Sequence, residues 1–402
     1  MPIILMRPFM LDAASYFEQV KQALPGDAEA RAQALHKAEA LGLPTRRLEH
    51  WHYTDLARLL KKPAQENAAL VATDFSALNP SEVRFEGGVM QASDDAGLAD
   101  WPALSPTAAE HASDAMVLYN QALAQAGVAL ELPEGGQKTL LVTTQGSAPQ
   151  HLSHHISLAR GAELILIDDN MASGYSNVAW DIELAEDSKL TFVHLQQAGR
   201  QVATSTVRLA ENATLTRLNL LSGQDMARHA GTIALQAAGA RVELHSAILG
   251  TDAAHNDVTY VIDHQAADTQ SNTTSYHALA GQARGVFQGK VIVQRDAQRV
   301  DAQMQARAMM LSDGPEMDAK PELEIYADDV QCAHGTAIGE IDADALFFLR
   351  ARGLDEATAR QFLITGFIEQ VLDACDHEPL VASLRAHIET KIATVLGQGS
   401  AS

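Results

Sequence analysis

The sequence predicts a mainly β fold, a right-handed parallel β-helix flanked by N-terminal and C-terminal α-helical regions. Three observations carry that prediction. Four short segments repeat, starting at Ile156, Ile182, Val207 and Ile233, so the starts lie 26, 25 and 26 residues apart. Within each, apolar residues alternate with polar or small ones, as in Ile156-Ser157-Leu158 and Ile182-Glu183-Leu184. Alternation at period two marks a strand with one buried face. Outside this region the spacing is helical, punctuated by Asp, Gly and Pro.

A constant period near 25 is the mark of a solenoid coil. One coil cannot bury its own apolar face, so stacked neighbours must do so. Sandwiches of crossed hairpins show shorter and less constant spacing, and a left-handed hexapeptide helix would show six-residue steps. Looser copies of the repeat follow at Val291–Val300 and Leu323–Cys332. The β-helix is therefore expected over 151–340.

The N-terminal helical region is expected over 1–62. Asp12 can cap a helix through Leu24, which Pro25-Gly26 ends, and a second helix runs from about Asp27 to Leu41, closed by Gly42 and Pro44. Arg46 to Leu60 follows, carrying Trp51 and Tyr53. Residues 63–150 mix alanine-rich stretches with Gly/Pro breaks and are expected as a linker and irregular segment. A C-terminal helical domain is expected over 341–402. Asp342 caps Ala343–Arg352, which stops at Gly353. Asp355 caps a second helix carrying Phe362, Leu363, Phe367, Ile368, Val371 and Leu372, and a third runs from about Pro379 to Leu396.

The formal net charge of −22 is the wrong sign for a partner of nucleic acid or of an anionic membrane surface, because binding a phosphate backbone relies on Lys and Arg. No run of Lys/Arg marks a local basic patch. Two cysteines, Cys332 and Cys375, leave no disulfide framework and suit a reducing compartment. The apolar run at Met1–Met6 is too short for a signal-peptide core, and nothing approaches a membrane span of about 18 apolar residues. A cytoplasmic protein is expected.

Catalytic motifs are few. Gly285…Gly289-Lys290-Val291 has three residues between its glycines and no Ser/Thr after the lysine, so it is not a phosphate-binding loop. No Gly-x-Ser-x-Gly elbow is present. Asp168-Asp169 and Asp328-Asp329 read as solvated turn or edge residues. His151, His154 and His155 form a local group; His151 and His155 would share one face of a strand, though a polar turn leading into the first coil accounts for them better. His229, His245, His255, His264 and His277 read as surface or core residues.

Cys332 and His334 stand apart. On a strand, Val330, Cys332 and His334 point to one side. Thiolate and imidazole together suit iron or zinc, yet two ligands do not complete a site, and two thiolates fall short of the four that iron–sulfur clusters commonly take. A buried cysteine beside a structural histidine is the alternative.

The stretch Lys320–Gly335, reading KPELEIYADDVQCAHG, and its continuation Thr336–Gly353 resemble the signature of the SufB/SufD family of iron–sulfur cluster assembly scaffold proteins. Glu49-His50-Trp51-His52-Tyr53-Thr54 resembles the family's Glu-x-Trp-x-Tyr-Thr element. The resemblance runs from about 45 to 375, with Ala333 a small departure where serine is more usual. The chain's length, that aromatic element and the absence of further cysteines favour the SufD branch over the SufB branch.

The resemblance implies a non-catalytic scaffold in a heteromeric complex with SufB and two copies of the SufC ATPase. The β-helix end would pair with SufB, and the helices over about 342–396 would dock SufC through Phe347, Leu349, Phe362 and Phe367, although packing within the helical domain accounts for these side chains too. It places His334, with Cys332, near the SufB interface as contributors to a transient iron–sulfur cluster or iron shared with SufB. This chain itself would bind no nucleotide, and in isolation it could pair as a homodimer. Two other classes compete. A β-helix polysaccharide-active enzyme would be secreted and rich in sugar-stacking aromatics, whereas this chain has three Trp. A structural solenoid without metal would associate only with itself.

Overall fold

The computed structural model describes residues 13–22, 24–63, 70–93, 114–223 and 225–398. Its centre is a parallel β-solenoid whose successive strands alternate between two sheets. Among the described residues, ten strands form one sheet and eight the other. The strands Gln150–Leu158, Tyr175–Leu184, Arg200–Leu209, Met226–Leu235, His255–His264, Arg284–Val293 and Glu316–Ile325 stack in the eight-stranded sheet.

The repeat in the sequence is the register of this sheet. Ile156, Ile182, Val207 and Ile233 are partners in adjacent strands, and the column continues through Ile262, Val291 and Leu323. All but Leu323 are buried in the solenoid interior. The later spacing lengthens to 29, 29 and 32 residues because strands of the ten-stranded sheet grow from eight residues at Thr214–Leu221 to eleven at Val300–Met310. A wider coil obscures a fixed period, which is why the later copies look loose.

The turn inside each repeat has its own chemistry. Gly161, Asp187, Asn212, Gly239 and Asp268 each hold a left-handed backbone, with φ between 54° and 75°. Glycine, asparagine and aspartate tolerate this conformation best. Their N–H groups bond the next coil, as from Gly161 to the Glu186 carbonyl at 2.9 Å. Arg299 breaks the residue rule at φ 58°, and its side chain is held by Asp268 at 2.5 Å.

The sheets begin upstream of 151. Ala129–Leu132 and Gln137–Gln145 already form parallel strands, and Ser81–Glu86 joins the ten-stranded sheet beside the latter. Leu140 and Val142 supply the inward face; a single short alternation does not stand out beside glycine and proline breaks.

Helices cover the outer faces. Ala28–Leu41 is capped by Asp27, whose side chain accepts from the Glu29 N–H, and closed by Gly42. Ala13–Val20 is shorter than expected, and Asp12 lies outside the described residues. Arg46–Leu60 is broken into a 3-10 turn, Glu49–Trp51, and the short helix Leu56–Leu59. This group packs with Ala115–Leu123 against Tyr175, Val202 and Met226 of the eight-stranded sheet. On the opposite side Glu356–Ile368, the 3-10 turn Glu369–Ala374 and Glu378–Gln398 bury Ile364, Val371, Leu380, Leu384 and Ile388 against Val193, Leu218 and Ala278. Asp342 and Asp355 cap their helices as the sequence indicates. No helix among the described residues is long and apolar enough to cross a membrane.

Candidate functional site

The two ends of the solenoid differ. At the N-terminal end Ser81–Glu86 carries Val83 and Phe85 into the interior core and is followed by the antiparallel strand Val89–Ser93. At the C-terminal end Glu316–Ile325 and Val330–Glu340 are, among the described residues, each paired on one side only. Edge strands offer unpaired N–H and C=O groups to another chain. The interior side chains Met317, Ala319, Leu323 and Val330 pack on the core but stay partly exposed, and Ile325, Tyr326 and Ile338 are exposed outright.

Cys332 and His334 lie on this last coil. Cys332 continues the inward column of Leu215, Val242, Ser271 and Ala302, and His334 the column of Leu244, Thr273 and Met304. With no coil beyond them among the described residues, Cys332 is half-buried and His334 exposed. Burial pushes the Cys332 thiol above its ordinary value, although a backbone hydrogen bond from Ala302 pulls the other way. Cys375 belongs to a different core, between the C-terminal helices and the ten-stranded sheet. Among the described residues no three His, Cys, Asp or Glu side chains gather as a metal site. A cluster at Cys332 and His334 would need ligands from another chain or from solvent.

Several other histidines are held within the solenoid. His154 stacks on Trp180 at 4.0 Å, His229 meets His194 edge-on at 4.1 Å, and His155 faces Asp181 at 3.3 Å. Asp168 and Asp169, expected in solvent, are buried. Asp168 accepts from Trp180 Nε1 at 3.2 Å and lies 2.8 Å from His194 Nδ1. It heads an interior polar column of Asp168, His194, Asn219 and Ser246 in direct register. The signal was present as polar residues in phase with the repeat, 26, 25 and 27 apart. Gly285–Gly289 lies within a strand, away from any helix N-terminus.

The Glu49–Thr54 element is locked onto the eight-stranded sheet. The Arg228 guanidinium lies 4.0 Å over the buried Trp51 ring and donates to the His50 carbonyl at 2.6 Å. Thr54 donates to Asp257, which also pairs with Arg228, and its hydroxyl meets His255 Nε2 at 2.8 Å.

On the C-terminal helices the four expected docking side chains separate. Phe347 and Phe362 are 74% and 61% exposed, Phe348 is exposed as well, and Leu349 is half-buried. Phe367 is half-buried, edge-to-face with Tyr276 at 5.5 Å, where it joins helix to sheet.

Residues 141–367 match the model of the SUF system FeS cluster assembly SufBD core domain. The chain is 27% identical over 390 residues to the iron–sulfur cluster assembly protein SufD of Escherichia coli (strain K12), covering 90% of this chain and 92% of that protein. It is 29% identical over 216 residues to an iron–sulfur cluster assembly SufBD family protein of Synechocystis, covering 52% and 47% respectively. It is 26% identical over 145 residues to SufD of Bacillus subtilis (strain 168), covering 36% and 33%.

Proposed function

This chain belongs to the SufBD family of the SUF iron–sulfur cluster assembly system, and from that premise we propose that it is a non-catalytic scaffold which pairs end-on with SufB and docks the SufC ATPase. The observation that supports this most is the unfinished C-terminal coil, where both sheets stop at unpaired edges over partly exposed apolar side chains. Pairing there would extend each sheet through backbone hydrogen bonds and cover the open interior. In the isolated chain, a second copy could use the same edges.

In this reading Cys332 and His334 face the joint. The His334 imidazole would offer a nitrogen ligand for iron, while the raised Cys332 thiol would ligate only once metal or a cationic neighbour draws off its proton. The cluster is cargo assembled across the joint. ATP hydrolysis by SufC would move the attached helices and, through them, the joint.

The test is the iron and sulfide content of the complex isolated anaerobically after co-expression with SufB and SufC. His334→Ala, at an exposed position, is expected to leave the complex intact and lower cluster content at least about tenfold. Unchanged content would make His334 structural. Failure of the unaltered chain to form a complex would remove the scaffold reading.

SufC docking is tested separately. Phe347→Asp and Phe362→Asp replace exposed aromatic side chains, so the fold should survive. Each should weaken SufC capture by about 2–4 kcal/mol, roughly 30-fold or more, if these rings are central anchors. Co-purification of SufC at unaltered yield with the double variant would exclude this face.

A further inference from the structure

The Glu49–Thr54 element and the bases that follow it have no part in the scaffold reading, and they border a cleft. Where segment 46–62 crosses the rim of the eight-stranded sheet it leaves a half-open cavity of about 330 Å³, within the size range of small-molecule sites. Arg46, Arg58, Lys62 and Arg284 line it, against Asp55 and Glu316. In a chain with 51 acidic and 29 basic residues this is a local reversal of charge, with three of the bases supplied by segment 46–62 and the fourth, Arg284, by the solenoid.

Both acids are already engaged. Asp55 accepts the Arg58 N–H as a helix cap, and Glu316 lies 3.5 Å from Arg284, which also holds Asp318 at 2.5 Å. Arg46, Arg58 and Lys62 form no ion pair with any described residue. Cations crowded around one cavity repel each other until an anion enters, and their combined field favours such an anion. The inner wall is rigid, because Trp51 and Thr54 on the same segment are clamped by Arg228, Asp257 and His255. Buried His255 in that wall stays neutral at physiological pH, and nearby Arg284 and Lys62 add to the burial that keeps it so. Tyr53 supplies a half-buried aromatic side chain to the lining.

We propose that this cleft binds a phosphorylated small molecule, with its phosphate group held by Arg46, Arg58 and Lys62. A nucleic acid is disfavoured by the chain's net charge of −22, whereas a compact anion is small enough to meet mainly the bases of the lining. Guanidinium and ammonium donors suit phosphate oxygens by charge and hydrogen-bond geometry. The site lies where strand Glu316–Ile325 begins, so occupancy would be felt at the edge proposed to pair with SufB.

The probe is inorganic pyrophosphate, titrated into the full chain by calorimetry at low ionic strength. One saturable site is expected. Arg58→Gln with Lys62→Gln should weaken it at least about tenfold, since both charge-assisted donors are lost. Arg385→Gln, on the opposite helical layer, should leave it unchanged. Both substituted cleft residues are exposed and form no ion pair among the described residues, so the fold is not at stake. No saturable binding to the unaltered chain, or binding that survives the double substitution, overturns the proposal.

Discussion

Acidification from neutrality to about pH 5 is expected to unfold this protein, through histidines that it buries in the neutral form. Burial lowers His151 and His277 to about 3, and His154, His255, His264 and His387 to about 4. An unfolded histidine takes its proton near pH 6.5. As pH falls below that value the unfolded chain binds protons that the folded chain refuses, so stability falls with pH across the window from about 6.5 to 4. At pH 5 each of these residues removes about 2 kcal/mol, and together they remove on the order of 10 kcal/mol, comparable to the stability of a whole domain. Asp169 acts in the opposite sense: burial raises it to about 6, so the folded state gains a proton as pH falls, but one carboxylate does not offset six imidazoles. Urea midpoints measured from pH 8 to pH 5 should fall steeply below about 6.5. A flat series would show that the buried histidines gain protons without loss of structure.

Asp257→Ala is expected to destabilise the chain by about 3–5 kcal/mol, because it leaves a buried cation unpaired. Arg228 and Asp257 are both buried and directly paired. Arg228 also donates to Thr259 Oγ1 at 2.9 Å and to the His50 carbonyl, while Thr54 gives its hydroxyl proton to Asp257. One carboxylate therefore connects the N-terminal segment to the solenoid across about 200 residues of sequence. Its loss should also free the segment, seen as faster proteolysis between 46 and 62. Pairing Asp257→Leu with Arg228→Met removes both charges and should cost less than the single substitution. Equal urea midpoints for Asp257→Ala and the unaltered chain would mean the ion pair holds nothing together.

Local rules read from the sequence carried the architecture a long way. Ile156, Ile182, Val207 and Ile233 proved to be one column of a sheet, because a side-chain period of two defines a face and a constant coil length stacks like upon like. The helix caps at Asp342 and Asp355 were legible because a cap involves only its own next three residues. Asp168 was misjudged for the same local reason. An acidic pair looks solvated until the neighbouring coil brings Trp180 and His194 against it.

By itself, then, the amino-acid sequence determined the solenoid, the shared side of Cys332 and His334 and the capped helices, all consequences of spacing along the chain. Only the tertiary structure decided that the last coil ends uncovered, that Phe362 is exposed while Phe367 is held by Tyr276, and that Arg46, Arg58, Lys62 and Arg284 surround one cleft. Burial and electrostatic potential are sums over everything nearby in space, and residues 46–62 meet residues 253–316 only after the coils have stacked.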